Sequence, residues 1–248
     1  MRQRIFAANW KMNYGPTAAA GFIREFRSRW TKGDAEVAFF PSALAFAAVR
    51  EAAGDPRPFK LGVQNVYTVD QGAFTGENSA RMAKDAGADY VLVGHSERRH
   101  IFGETDEECA AKCVIVQQSG LTPMLCVGET LDQRDRGHTS AVVTRQLRAG
   151  LSKLDHAQAT MVVIAYEPVW CIGTGKTATC ADIADTHGLL RSVLRDIVGD
   201  RASEVRILYG GSVTPETTAQ LLASSDVDGV LVGGASLQVD SWLSICAS

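Results

Sequence analysis

Asn9, Lys11, His95 and Glu167 each stand where a short apolar run gives way to polar residues, and together their types suit proton transfer. Removing a proton beside a carbonyl needs a carboxylate held close to carbon and sheltered from water. Glu167 is the candidate base. A strand-end glutamate taken alone is more often an ion-pair partner. Two features reverse that reading: Pro168 restricts the backbone before it, and residues 169–178 carry glycines that suit a closing loop. His95 follows the apolar run 90–93, and Ser96 is placed to cap a short helix beyond it. Amides at a helix start disfavour imidazolium and leave a neutral imidazole to donate a hydrogen bond to a developing oxyanion. A packed histidine at a strand–helix junction is the competing reading. Asn9 and Lys11 are two apart, so in extended backbone they point the same way. A lysine there can neutralise an anion while Asn9 holds an oxygen, although residue frequency favours an ordinary surface lysine.

A phosphate would be gripped by Gly173, Ser212, Gly233 and Gly234, because glycines let backbone amides approach an anion closely. The commoner use of a Gly-Gly pair is a tight turn. Two other patterns are set aside. Gly175-Lys176-Thr177 resembles the end of a P-loop, but Trp170 stands where the first glycine belongs. Residues 173–178 also fit a loose dinucleotide fingerprint, yet they begin well past their strand and lack a second strand ending about twenty residues later.

The elements that must position these groups read as an alternation. Apolar runs at 5–10, 36–41, 59–64, 89–94, 121–127, 161–167, 205–209 and 229–232 predict strands. Several are continuous rather than alternating, which is how a strand buried on both faces reads, so the sheet should be parallel. Helical patterns lie between them, among them 17–30, 107–118, 140–154, 183–198 and 237–246. Eight such units predict a closed (β/α)8 barrel, with an open doubly wound sheet as the alternative. The 248 residues suit one barrel without remainder, so residues 1–248 are read as a single domain. Functional groups of a barrel gather at the carboxyl ends of its strands, and here the opposite ends look bland. Two connections are too long for simple turns. Residues 65–78 carry Tyr67 and Phe74, which should find cover; residues 168–178 set Trp170 and Ile172 among glycines and resemble a lid.

A net charge of −3 offers no electrostatic case for nucleic acid or an anionic membrane. No segment reaches the ~20 apolar residues of a membrane span, and the first residues do not read as a signal peptide, so the cytoplasm is the expected compartment. Six cysteines in a chain this long are not a disulfide framework. Cys109 and Cys113 share a helix face but lack nearby ligands, so no metal is expected.

Segments spread in order along nearly the whole chain resemble the triosephosphate isomerase family. They are NWKMN at 9–13, GAFTGE at 72–77, VGHSERR at 93–99, CVGE at 126–129, AYEPVW at 165–170, IGTGK at 172–176, YGGSV at 209–213, and residues 229–237. The resemblance implies interconversion of dihydroxyacetone phosphate and D-glyceraldehyde 3-phosphate through an enediol(ate), in glycolysis and gluconeogenesis, with no cofactor. It implies that Glu167 shuttles the proton, that His95, Lys11 and Asn9 hold developing charge, and that Glu97 partners Lys11, either relaying protons or holding it. Gly173, Ser212, Gly233 and Gly234 would bind phosphate under a lid that includes Pro168, Trp170, Cys171, Ile172, Gly175 and Lys176. A homodimer is implied through Tyr67, Phe74 and Thr75, with Thr75 reaching towards the neighbour's His95. Two departures stand out: Cys171, where the family commonly has alanine, and Phe39-Phe40-Pro41-Ser42. Other functions to weigh are a Schiff-base aldolase using Lys11 and a non-catalytic phosphate binder.

Overall fold

Each apolar run read as a doubly buried strand forms one. In the computed structural model, which describes residues 2–31, 33–172 and 176–248, the strands are β1 (Ile5–Asn9), β2 (Glu36–Phe40), β3 (Lys60–Val63), β4 (Tyr90–Val93), β5 (Thr122–Val127), β6 (Val163–Tyr166), β7 (Ile207–Tyr209) and β8 (Gly229–Val232). Each pairs in parallel with the next, and β8 returns to β1, closing the barrel. The helices are α1 (Pro16–Arg29), α2 (Ala43–Ala53), α3 (Ala80–Asp85), α4 (Ser96–His100), α5 (Asp106–Gln118) and α6 (Leu131–Asp135). They continue with α7 (Thr139–Leu151), α8 (His156–Thr160), α9 (Cys180–Val198), α10 (Pro215–Leu222) and α11 (Val239–Cys246).

The continuous apolar character of the strands has a direct cause. Alternate residues such as Ile5, Ala7, Phe40, Leu92, Met124 and Leu231 fill the barrel interior. Their neighbours in sequence, such as Phe6, Ala8, Phe39, Val91, Leu125 and Val232, pack outward under the helices. Both side-chain rows are buried, so both must be apolar. The unusual Phe39-Phe40 pair fits this division. Phe39 joins an outer aromatic cluster with Phe26 and Phe59. Phe40 turns inward over Gly62, where a Cβ would sit 2.2 Å from the ring.

The amino-terminal mouth is not bland, contrary to the sequence expectation. The Tyr90 hydroxyl donates to Glu36, and Arg206 donates to Tyr90. Arg191, almost fully buried, binds Asp226 and Asp228, and Arg2 binds Asp228 at 2.5 Å. These paired charges close the bottom of the barrel, and because they come from strands, a helix and connecting segments far apart in sequence, spacing does not reveal them. Several helix starts also lie earlier than periodicity alone indicates, although α11, expected from 237, begins later at Val239. For α9, predicted from 183, a reciprocal cap between Thr179 and Asp182 sets the start at Cys180.

Candidate active site

Glu167 leaves β6 with its amide donating to the Val127 carbonyl at 2.8 Å. Its side chain is buried, and the backbone passes so close to β5 and β7 that only glycine fits beside it. A Cβ on Gly128 would lie 1.8 Å from the Glu167 carbonyl oxygen, and one on Gly210 would lie 2.9 Å from Glu167 Cγ. The carboxylate rests against the start of α4. Oε1 is 3.0 Å from His95 Nε2, and Oε2 accepts the Ser96 amide at 2.8 Å. Burial pushes the Glu167 pKa up. His95, the Ser96 amide and Lys11 outweigh it, so the net shift is downward and the group is held ionised.

His95 is itself the cap of α4, and Ser96 is the first helical residue, not the cap expected from sequence. His95 Nδ1 accepts the Glu97 amide at 3.2 Å. A ring nitrogen that accepts carries no proton, which assigns the neutral tautomer with its hydrogen on Nε2, facing Glu167. Burial lowers the His95 pKa, but the carboxylates of Glu167 and Glu97 raise it further, and the net shift is upward.

Lys11 lies outside β1 in left-handed backbone, with φ of 51°. It therefore does not share a side with Asn9 through strand alternation, as the spacing suggested. Local hydrogen bonds hold the unfavourable geometry instead. Asn9 Oδ1 accepts the Lys11 amide at 3.0 Å, while Gln64 donates to the carbonyls of Lys11 and Phe40. The Lys11 ammonium is 2.6 Å from Glu97 Oε1. Gln64 was visible at the end of its strand, but nothing in sequence linked it to Lys11.

Four of these residues line one cavity of about 440 Å³ at the carboxyl end of the barrel, a size for a small ligand. Asn9, Lys11, His95 and Glu167 face Ser212, Gly233 and Gly234 across it. After Glu167, Pro168 leads into a short 3-10 turn, Val169–Cys171. Trp170 is buried and donates from Nε1 to Glu129 Oε1 at 2.8 Å; the fully buried Glu129 also accepts the Tyr166 hydroxyl. Ile172 lines the cavity and Lys176 is exposed. Gly173 and Gly175 lie outside the described residues. Cys171 is buried. Its thiol is pushed up to about 11 by burial, with the Ala178 amide and Tyr209 side chain pulling the other way, which leaves a poor nucleophile.

Tyr67 and Phe74 are not among the residues lining the cavity and pack on each other at a tilt of 44°, with ring centroids 4.5 Å apart. Phe74 nevertheless stays 42% exposed and Thr75 is exposed, so the cover expected for the loop is incomplete within one chain. Among the described residues no group of three or more His, Cys, Asp or Glu side chains is placed to hold a metal ion. No helix among them is long and apolar enough to cross a membrane.

Residues 4–248 match the family model described as "Triosephosphate isomerase". A protein of that name from Bdellovibrio bacteriovorus is 48% identical, with 99% of each chain covered. Another of that name, from Marinobacter nauticus, is 49% identical and covers 100% of this chain and 98% of its own. A third, from Moorella thermoacetica, is 46% identical over 99% of this chain and 98% of its own. With the barrel, the cavity and these matches in agreement, this chain belongs to the triosephosphate isomerase family.

Proposed function

We propose that this protein interconverts dihydroxyacetone phosphate and D-glyceraldehyde 3-phosphate through an enediolate, as an isomerase of glycolysis and gluconeogenesis. The observation that carries the reading is the ionised, buried Glu167 carboxylate 3.0 Å from His95 Nε2 at a small-ligand cavity. Glu167 removes a proton from carbon 1 and returns it to carbon 2, while the hydroxyl proton passes from O1 to O2 beside the imidazole. The Nε2–H of His95 and the Lys11 ammonium stabilise the negative oxygen, and Asn9 orients Lys11 through its amide contact. Both carboxylate oxygens are engaged at the start of α4, so Glu167 must release Ser96 and His95 to reach carbon. That release removes the main influence raising the His95 pKa and favours the neutral, hydrogen-donating ring.

Glu97 holds Lys11 in place. Ser212, Gly233 and Gly234 offer backbone amides to the phosphate, with Gly173 joining them, and the segment containing Pro168, Trp170, Cys171, Ile172, Gly175 and Lys176 covers the ligand. The proton transfer uses side chains alone and draws on no cofactor. A Schiff base at Lys11 is disfavoured, because an ammonium paired at 2.6 Å with Glu97 is not a free amine. We read residues 1–248 as one domain that acts in the cytoplasm as a homodimer. The dimer reading is supported by exposed Phe74, Met82, Ile101 and Phe102 around the 65–78 loop.

The direct test is turnover in deuterated water. We expect solvent deuterium at the carbon that receives the proton, and none with Glu167→Ala. Fast turnover by the Glu167→Ala protein would remove Glu167 as the base. Borohydride reduction in the presence of substrate should leave Lys11 unmodified; a trapped adduct there would restore the aldolase reading.

A further inference from the structure

We infer that Arg134 is a positioning residue that ties together the two ends of the connection between β6 and α9, and so sets how well the enediolate is covered. This inference rests on the reading of that connection as the ligand's cover.

Arg134 lies on the one-and-a-half-turn helix α6, away from the cavity lining. Its guanidinium carbon sits 4.2 Å from the Trp170 ring centroid, within range of a cation–π contact. Its Nη2 donates to Asp182 Oδ1 at 2.8 Å. Those two partners stand on opposite ends of the connection. Trp170 is three residues after Glu167 and is anchored to the buried Glu129, whose carbonyl also accepts the Val169 amide at 3.1 Å. Asp182 is in the first turn of α9, where its other oxygen accepts the Thr179 amide at 3.0 Å and hydroxyl at 2.7 Å. One planar cation therefore touches the exit from the base and the entry to the next helix at once. It also lies close enough to Glu129 for that charge to act on it, so it offsets the buried carboxylate that holds Trp170.

The fork and plane of arginine matter here. A lysine can keep the ion pair with Asp182 but cannot lie flat on the indole while doing so. Arg134 itself stands outside the barrel core, with its side chain 30% exposed. A role confined to stability would therefore leave the course of the reaction unchanged. Cover is different. An uncovered enediolate phosphate expels inorganic phosphate as its carbon–oxygen bond breaks, and the enol so formed gains a proton on carbon and loses its hydroxyl proton to give 2-oxopropanal. The ratio of that product to the isomer reports cover directly.

The experiment compares wild type with Arg134→Gln, Arg134→Lys, Asp182→Asn and the Arg134→Gln/Asp182→Asn double variant, reading kcat, KM, released 2-oxopropanal and Tm. For Arg134→Gln we expect kcat to fall about tenfold, a rise in the 2-oxopropanal fraction, and a nearly unchanged Tm. Arg134→Lys should recover part of the loss. The double variant should be no worse than Arg134→Gln, because both changes break one connection. Wild-type kcat and partition in Arg134→Gln would overturn the inference, as would full additivity in the double variant. If Arg134→Gln does not fold, Asp182→Asn decides alone: a raised 2-oxopropanal fraction supports the link and an unchanged one overturns it. An inactive wild type would instead sink the isomerase reading itself, so the two failures are distinguishable.

Discussion

Glu167 and His95 meet at the rim of the barrel with Oε1 3.0 Å from Nε2, both side chains almost wholly buried. The contact couples the two groups. The carboxylate raises the imidazole pKa, and the imidazole and the Ser96 amide help lower that of the carboxylate. Each group is thereby held away from its ordinary behaviour until a ligand separates them.

Replacing Glu167 by Ala removes the base but leaves Lys11, Ser212 and the paired glycines. We expect kcat to fall by about a hundred- to ten-thousandfold while the affinity for a phosphate-bearing substrate analogue changes little. Steady-state kinetics alongside calorimetric analogue binding checks both halves, and a parallel collapse of binding would show that Glu167 is needed to build the site.

Lys11 and Glu97 separate holding from relaying. If Glu97 only holds the ammonium, Glu97→Gln keeps a hydrogen-bond acceptor and should lose far less kcat than Lys11→Met, with little change in the pH profile. A loss in Glu97→Gln equal to that of Lys11→Met, with a displaced acid limb, would favour a relay.

The exposed Phe74 and Thr75 give the dimer its test. Phe74→Glu/Thr75→Asp should weaken the dimer, so that analytical ultracentrifugation shows monomer and activity falls on dilution at concentrations where wild type keeps both. A fully active monomer would remove this surface from the account of the site.

His187, fully buried between Tyr166 and Tyr209, supplies a pH dependence. Burial lowers its pKa from 6.5 to about 4. As pH falls, the unfolded chain takes the proton first, so this contribution is complete above about 6.5 and is lost towards about 4, to a total of roughly 3 kcal/mol. The His95 shift is upward, so its effect falls above 6.5 and outside this window, and the difference between wild type and His187→Gln isolates the His187 contribution. Denaturant titrations from pH 7 to 4.5 should show a flatter stability curve for the variant; parallel curves would assign the acid loss elsewhere.

The strands were legible because burial on both faces imposes an apolar row at every position, a local signal that needs no partner to be read. The candidate chemistry was legible for a similar reason: Asn9, Lys11, His95 and Glu167 interrupt apolar runs at the ends where a parallel barrel collects its functional groups. The local readings that failed did so where backbone detail mattered. His95, not Ser96, caps α4, and Lys11 reaches the cavity through left-handed backbone instead of strand alternation.

By itself, then, the sequence determined the alternation of elements, the family and which side chains could act. Tertiary structure alone decided their partners. Glu97 reaches Lys11 across 86 residues, and the Ser96 amide reaches Glu167 across 71. Arg134 meets Asp182 across 48. Closure of the barrel brings such groups within hydrogen-bond distance, and periodicity cannot encode it, because periodicity records which face of an element is buried and not which other element covers it.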